Sequence, residues 1–559
     1  MADTGADDGM NNASVAASLS LDDSLSNSFL EEQADLDRME QIMTRVLYTM
    51  RPARPDIVRA VRARRALWCC GRAFRGGVPG SFHASFPTGE IDEFWSHSWH
   101  GEKRIKIMTA LFLNNGAIAP VIATVFAIVA TILFIVGVLP MKFSGGYDVS
   151  LPQYPMKSYW GKAVGLVAFC VCLFCWQPGR AIFMDVMCIN QDDPKSKALA
   201  LFSNYASSPE GHKASKSLLV LWDPSYTQRL WCCFEIAAFL RSRGSGEKAD
   251  VRVRPTLLGP VFVSLPIALA ITQLGMGFVP LTSEEGSNHA VIWPMMVGSS
   301  FCGFYWSVAK LREFFRSVDS LHRELQQFRC GDCLCYCCSV GHRTKAGRKM
   351  ACDRRILLSC ITLWFGSAEN FDTLVRCEVL TCLTEQLSSQ VLTYKQFAVM
   401  AVPVVWHHLD TMSDPLEWAL NPAPGHKVHL RYEILISSLE IVRGIGWAFG
   451  LLPIIFFVTA KLTCWLRKRV GQSACAQMCG DILVNCSIMT AVTMLLVAAL
   501  ALETVPFNLS AVEHGRFGSV IAMVIFDVIV LLCARLLLKC IPIKVRFPAQ
   551  TLNCRTPPL

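Results

Sequence analysis

The sequence predicts an α-helical polytopic membrane protein of about seven to eight transmembrane helices, carrying a small cytosolic α/β domain built on a parallel sheet. Three observations predict it. Of 559 residues, 52% are hydrophobic and 17% charged, and the mean hydropathy is +0.36; this composition excludes a soluble globular chain, a disordered one and a nucleic-acid-wrapping one. Charge-free runs of membrane-crossing length recur along the chain. Among them, short stretches alternate strand and helix character.

Taken in order, residues 1–37 form an acidic, Ser-rich tail with no basic or apolar leader segment, read as disordered and cytosolic. Residues 38–89 form an Arg-rich juxtamembrane segment, with ten Arg and no Lys between Arg38 and Arg75. It reads as a solvated basic linker that sets orientation, or as a surface resting on an anionic leaflet, in which case Cys69 and Cys70 beside Trp68 are acylation candidates. The spans are Ala117 to Leu139 and Ala163 to Gly179 (an inserted hairpin, 117–179), Thr256 to Ser283 and Ala290 to Ala309 (a second hairpin, 256–309), and then Gly444 to Ala460, Ile482 to Leu502 and Phe517 to Ala534 in a C-terminal bundle (444–539). Asp527 inside the last span reads as interhelical glue or a polar pathway.

Orientation follows from the basic loops. Arg180 to Arg254 and Lys310 to Arg355 each hold eleven Lys and Arg, whereas residues 284–289 hold none, so the N-terminus and both basic regions are assigned to the cytosol. The same count places the loop KLTCWLRKRV and the basic tail 540–559 outside, and the sequon Asn508-Leu509-Ser510 inside, unless one more crossing precedes Gly444. The weak stretch from Val391 to Trp406, within 391–443, supplies it, making eight crossings with both ends cytosolic.

The α/β domain is split, 90–116 plus 180–254. Ile91 to Trp99 reads as a strand turning into the amphipathic helix GEKRIKIMTALF, with Ile105, Met108, Leu111 and Phe112 on one face. Ala181 to Ile189 reads as a buried strand ending at the turn NQDDP, and Ser217 to Leu221 as another, followed by a helix from about Gln228 to Leu240. A hairpin that leaves and re-enters one face of the membrane returns the second strand to the compartment of the first. Ligands are then expected at the carboxyl ends of the strands. Glu235 is the only charge between Arg229 and Arg241, on an apolar helix face with Trp231 and Ala238. It reads either as a desolvated carboxylate able to stabilise positive charge as a glycosidic bond breaks or as the partner of Arg229 or Arg241. His97 and Asp185 are weaker acid or base candidates. Cys188, Cys232 and Cys233 read as buried apolar residues.

These residues carry a resemblance. SLLVLWDPSYTQRLWCCFEIAAFL, Ser217 to Leu240, resembles the third strand and following helix of Toll/interleukin-receptor (TIR) domains, whose Trp-Cys-x-x-Glu pattern is matched by Trp231, Cys232 and Glu235. DEFWSHSWHG, from Asp92, is similar to their opening strand, and FMDVMCINQDD, from Phe183, to their second, with the Cys-Ile-Asn-Gln string of fungal heterokaryon-incompatibility (HET) domains. The resemblance implies a flavodoxin-like fold that self-associates in signalling and, in some members, cleaves NAD at the nicotinamide bond, with Glu235 as the catalytic residue. Ser96, Ser98, Asn190, Gln191 and Trp231 are the accompanying binding candidates. The chain departs from the family in its inserted membrane hairpin and in lacking the final strand and helix.

Within the Cys-rich and helical region 310–390, Cys330, Cys333, Cys335, Cys337 and Cys338, with His342 and Cys352, contain one Cys-x-x-Cys and no second pair at zinc-finger spacing. Reduced or acylated thiols are preferred, and a zinc knot on Cys330, Cys333, Cys335 and Cys337 is the weaker alternative. No cofactor is assigned; NAD enters only as a substrate. The sequence reads as a membrane-anchored TIR-like signalling or assembly protein whose partners are membrane lipids and its own copies, not nucleic acid. The rival is a multi-span transporter or channel with a non-catalytic regulatory α/β domain.

Overall fold

The computed structural model describes residues 34–45, 48, 58–76, 81–140, 158–176, 179–190, 215–243, 250–277, 289–343, 347, 349–389, 392–421, 430–513 and 515–540. The expected tail over residues 1–33, the turn at 284–288 and the basic tail from 541 lie outside them. The chain is mostly helical with one small mixed sheet.

The sheet contains β1 (Arg59–Arg62), β2 (Phe86–Pro87), β3 (Ile91–His97), β4 (Ala181–Phe183), β5 (Ser215–Trp222) and β6 (Val251–Pro255), in the order β2-β1-β4-β3-β5-β6. β4, β3, β5 and β6 run parallel, Phe94 pairing with Phe183 on one side and Leu218 on the other. Numbered among themselves, these four strands lie in the order 2-1-3-4, the doubly wound pattern whose switch point falls between the first and third, here β3 and β5.

Two expectations change. The sheet is mixed rather than wholly parallel, because β1 and β2 extend it antiparallel beside β4. These strands come from the segment read as an Arg-rich juxtamembrane linker, whose Ala60 and Val61 are fully buried, as is Ala63 at the start of α1 (Ala63–Gly71). The arginines stand at the two ends of β1, Arg59 donating to the Ser85 hydroxyl at 2.8 Å and Arg62 to the Gly179 carbonyl at 2.7 Å. Cys69 is exposed, at a left-handed φ of 50°; the Cys70 side chain lies outside the described residues.

After β3 comes α2 (Lys103–Asn115), then a 67° bend into the apolar α3 (Ala119–Ile135), which pairs with α4 (Trp160–Cys175). In α2 the face is broader than expected. Ile107, Thr109, Ala110 and Leu111 are buried and Ile105, Met108 and Phe112 only partly, because α2 is clamped between the sheet and a later helix. The expected strand Ala181 to Ile189 ends at Phe183. A short helix, α5 (Asp185–Cys188), follows, its first turn carrying Asp185, where a carboxylate favours helix over strand.

After β5, α6 (Leu230–Arg241) carries Glu235, and β6 leads directly into α7 (Leu258–Gly277). Gly259 of α7 lies against the backbone of α2, a Cβ there meeting the Thr109 backbone, and the Thr109 hydroxyl donates to the Thr256 carbonyl and accepts from Gly259 N–H at 3.1 Å. The sheet domain and the helices are joined at this crossing. Beyond it run α8 (His289–Gln326), α9 (Tyr336–Ser339), α10 (Asp353–Phe365), α11 (Ala368–Leu374) and α12 (Leu380–Ser389). Gln386 of α12 accepts from Val253 N–H at 3.2 Å while its amide nitrogen donates to the Val251 carbonyl. One side chain thus stands in for a peptide group and blunts the open edge at β6.

The stretch expected to supply an extra crossing is broken at Pro403 into α13 (Tyr394–Ala401) and α14 (Pro403–Leu420). Next, α15 (Leu430–Gly446) continues through a π turn at Trp447–Leu451 into α16 (Leu452–Trp465), so this helix starts well before the expected Gly444. α17 (Ala474–Glu513) and α18 (Gly515–Cys540) complete the chain.

Four helical stretches among the described residues are long and apolar enough to cross a membrane: Leu258–Gly275, Glu433–Trp465, Ala474–Glu503 and Val520–Leu537. The last two bury little of themselves within the protein. Met494, Val497, Ile525, Ile529, Leu532 and Leu536 are all exposed, an apolar surface that water-facing proteins rarely present. α4 is apolar but shorter, and α2, the first half of the bent pair, is committed to the sheet.

Candidate functional site

The carboxyl ends of β3 and β5 meet the first turns of α6, and a hydrogen-bonded chain crosses there. Ser96, near the end of β3, donates its hydroxyl to Glu235 Oε2 on α6. Ser96 Oγ also lies 2.6 Å from the Tyr226 hydroxyl, in the loop after β5, and the Tyr226 hydroxyl donates to the Cys232 carbonyl at 3.3 Å. Glu235 is partly exposed, and its pKa is pushed up to about 8, chiefly by burial and secondarily by the Asp185 charge, against the Ser96 bond that lowers it. The carboxyl therefore carries its proton at neutral pH and ionises just above it. Neither Arg229 nor Arg241 forms an ion pair with it among the described contacts.

His97 projects to the opposite face of the sheet from Ser96. Its ring packs on Phe74 at 5.2 Å and Trp99 at 4.6 Å, and its Nε2 is buried with no partner among the described residues. Burial, then the nearby Lys106 charge, drives its pKa down to about 3, so the imidazole is neutral and is not a proton donor at physiological pH. Asp185 accepts from the Trp99 indole at 2.9 Å and thereby ties the end of β3 to α5. Ser98 Oγ sits 2.7 Å from Ser225 Oγ. Asn190 follows α5 and is partly buried; Gln191 lies outside the described residues. Trp231 is turned away from this chain, its indole donating to Asp353 of α10 at 3.2 Å. Burial raises the pKa of Cys188 to about 12 and that of Cys232 well above the thiol range, which suits packing rather than nucleophilic roles.

Sequence reasoning missed the buried ion pair beneath the site. Lys106 of α2 lies 2.6 Å from Asp223 at the end of β5, both almost fully buried, and its ammonium also donates to the Ser98 carbonyl. Asp223 in turn accepts from Ser225 N–H at 2.8 Å and from the Ser225 hydroxyl at 2.5 Å. The pair fastens the two loops that carry Ser98 and Tyr226. Gly101 makes room for it, since a Cβ there would collide with the Asp223 carboxyl and sit 2.6 Å from Lys106 Nζ. A lysine in the middle of the otherwise apolar run IKIMTALF was the available signal.

The quartet named as the weaker zinc alternative separates in part. Cys330 N–H bonds Asp372 at 2.8 Å, and Cys333 Sγ lies 3.5 Å from Cys233 Sγ; Cys335 Sγ stays 3.3 Å from Cys337 Sγ, beside Asp353, and Cys337 also groups with Cys338, His342 and Cys352.

A second feature lies in the helical bundle. A cavity of about 580 Å³ is enclosed by α7, α8, α13–α17 and the π turn, with apolar walls that include Leu265, Phe304, Phe397, Phe456, Val492 and Leu496. One end is polar. There Arg443 bonds Glu503 at 2.8 Å and Glu440 at 3.0 Å, and Glu440 meets His408 Nδ1 at 2.9 Å. Gln273 is among the lining residues, its Oε1 buried and without a partner among the described residues.

Compared with known proteins, the chain matches no family model, no curated protein and no solved structure.

Proposed function

We propose that this chain is a multi-pass membrane protein whose TIR-like α/β domain faces the cytosol and works in signalling or assembly, cleaving NAD at the nicotinamide glycosidic bond with Glu235 as the catalytic residue. The observation that carries this reading is the Tyr226–Ser96–Glu235 chain at the switch point of a 2-1-3-4 parallel sheet, the place where doubly wound folds take nucleotides. In NAD the leaving nicotinamide is already cationic, so it departs with the bonding electron pair and needs no acid. What the reaction needs is negative charge beside the ribosyl carbon as it becomes oxocarbenium-like, before water adds there. Ionised Glu235 supplies that charge, and Ser96 orients it. In this reading α3 and α4 form a membrane hairpin, the crossings number about seven to eight, with α13 and α14 contributing the eighth, and copies of the domain associate at the membrane surface.

NAD turnover by the detergent-purified protein, reconstituted at high surface density, tests the proposal. Turnover that is lost in Glu235→Ala, and that rises with pH through about 8 in the wild type, supports it. Absence of turnover at every density rejects the enzymatic part and leaves association alone.

A second reading, a transporter or channel regulated by the α/β domain, is favoured by the bundle cavity and by Gln273 in its lining, a polar side chain whose oxygen has no partner among the described residues. Solute flux into vesicles that survives Glu235→Ala and falls in Gln273→Leu would select it.

A further inference from the structure

The Cys-rich segment between α8 and α10 has no part in the chemistry above, yet its side chains converge. The ligand atoms of Cys337, Cys338, His342 and Cys352 all lie within 4.8 Å of one another. Cys337 Sγ and Cys338 Sγ are 3.9 Å apart, and Cys338 Sγ is 3.6 Å from His342 Nε2. In a regular tetrahedron each edge is about 1.6 times the centre-to-vertex distance. Zinc bonds of about 2.3 Å to sulfur and about 2.0 Å to nitrogen therefore require sulfur–sulfur edges of about 3.8 Å and sulfur–nitrogen edges of about 3.5 Å. Both measured edges match a metal-centred tetrahedron and are much longer than a disulfide bond, about 2.05 Å.

The backbone is shaped to produce this convergence. Gly341 and His342 take successive left-handed conformations, φ 61° and 57°, a geometry that a non-glycine residue adopts at a cost and keeps where its surroundings demand it. That reversal turns the imidazole back toward α9, with His342 N–H donating to the Cys337 carbonyl at 2.8 Å. The chain then returns through an Arg343–Lys349 bridge, and Met350 N–H meets the His342 carbonyl at 2.9 Å, delivering Cys352 to the cap position of α10. Glu40 accepts from Cys352 N–H at 2.6 Å and anchors it from the helix at 34–45. Three thiolates and a neutral imidazole around a dication leave one net negative charge, which suits the amino end of α10 and the flanking Arg343 and Lys349.

We infer that Cys337, Cys338, His342 and Cys352 form a structural zinc site. Four soft protein ligands close the coordination sphere and leave no position for substrate, so the role is structural rather than catalytic. The site would stiffen the catalytic domain from outside. Leu334, three residues before Cys337, is stitched to the start of α6, donating to the Gln228 carbonyl at 2.6 Å and accepting from Leu230 N–H at 3.1 Å, while Arg354 of α10 holds the Cys333 carbonyl at 2.9 Å. Metal binding would thus fix the entry to the helix that carries Glu235, whether or not Glu235 is catalytic.

Metal content of the full-length protein, purified in detergent without chelator, tests the inference. We expect about one zinc per chain, lost in His342→Ala and in Cys352→Ser and retained in Cys382→Ser on α12. Zinc-edge X-ray absorption on the unmutated protein should give a shell of three sulfurs and one nitrogen. Because that spectrum needs no variant, a misfolded substitution does not decide the matter. Substoichiometric zinc in the wild type, zinc retained in both ligand variants, or a shell of four sulfurs or mostly oxygen would overturn it.

Discussion

Among the described residues a buried Lys–Asp pair lies in the α/β domain and another in the helical part, and the two are built differently. In the α/β domain Lys106 and Asp223 touch at 2.6 Å, with Ser225 the other donor to the aspartate. In the bundle Lys162 stands 3.6 Å from Asp410, while Asp410 accepts from Gly161 N–H at 2.7 Å, Lys162 N–H at 3.0 Å and the Ser158 hydroxyl at 3.0 Å. Asp410, on α14, is thus capping the amino end of α4 from another helix, satisfying orphan amides with help from the helix dipole. The domain uses its pair to hold two loops around a site; the bundle uses its aspartate to start a helix, with the lysine an accessory. Similar composition conceals unlike dependence on the cation.

That contrast ranks the substitutions. Lys106→Ala leaves Asp223 buried without a countercharge, with Ser225 its remaining donor, and should cost about 3–5 kcal/mol, read as loss of thermal stability in detergent together with loss of any NAD turnover. Asp410→Ala strands three donors at once and should cost about 2–4 kcal/mol, and exposure of α4 to proteolysis would locate the damage. Glu235→Gln should stabilise the protein, in a pH-dependent way. An unfolded glutamate ionises near 4.5 and the folded one near 8, so the native state retains a proton that the unfolded state releases, and the wild type loses stability as pH rises between those values. The melting-temperature advantage of Glu235→Gln should widen from pH 5 to pH 8 and then level; a destabilised variant at pH 8 would mean that Glu235 is held as a structural anion instead. Lys162→Met should cost least, under about 1 kcal/mol, because the backbone amides of α4 continue to satisfy Asp410. A cost equal to that of Lys106→Ala would erase the distinction between the two regions.

Much of the α/β domain was legible because buried parallel strands announce themselves as apolar runs: the strands expected over Ile91 to Trp99 and Ser217 to Leu221 are found as Ile91–His97 and Ser215–Trp222. β1 escaped notice because it is four residues long, with an arginine at either end and only Ala60 and Val61 facing the core. Glu235 could be singled out from helical spacing, but its bond to Ser96 spans 139 residues and no local window contains it. α14 was obscured for a related reason. Its acidic residues lower the local hydropathy, yet Asp410 is satisfied by atoms some 250 positions earlier. The weaker zinc alternative on Cys330, Cys333, Cys335 and Cys337 follows from Cys-x-x-Cys spacing, whereas the convergence of Cys337, Cys338, His342 and Cys352 depends on a left-handed turn at His342 that spacing does not encode.

The apolar hairpin of α3 and α4 lies in the chain between the first parallel strand and its neighbour β4, which pair directly, with Asp92 accepting from Ala181 N–H at 2.9 Å. During synthesis β3 therefore leaves the ribosome long before β4, and the interval is filled by the segment read as entering the bilayer. The sheet closes only if that hairpin comes back to the side it left. A chain in which only one of the two helices crossed would keep β3 and β4 on opposite sides, and Ser96 would have no completed fold in which to meet Glu235. Completion of the Ser96–Glu235 site would then be a built-in proofreading step on biogenesis, tying the moment a copy gains its finished sheet to the success of its own insertion.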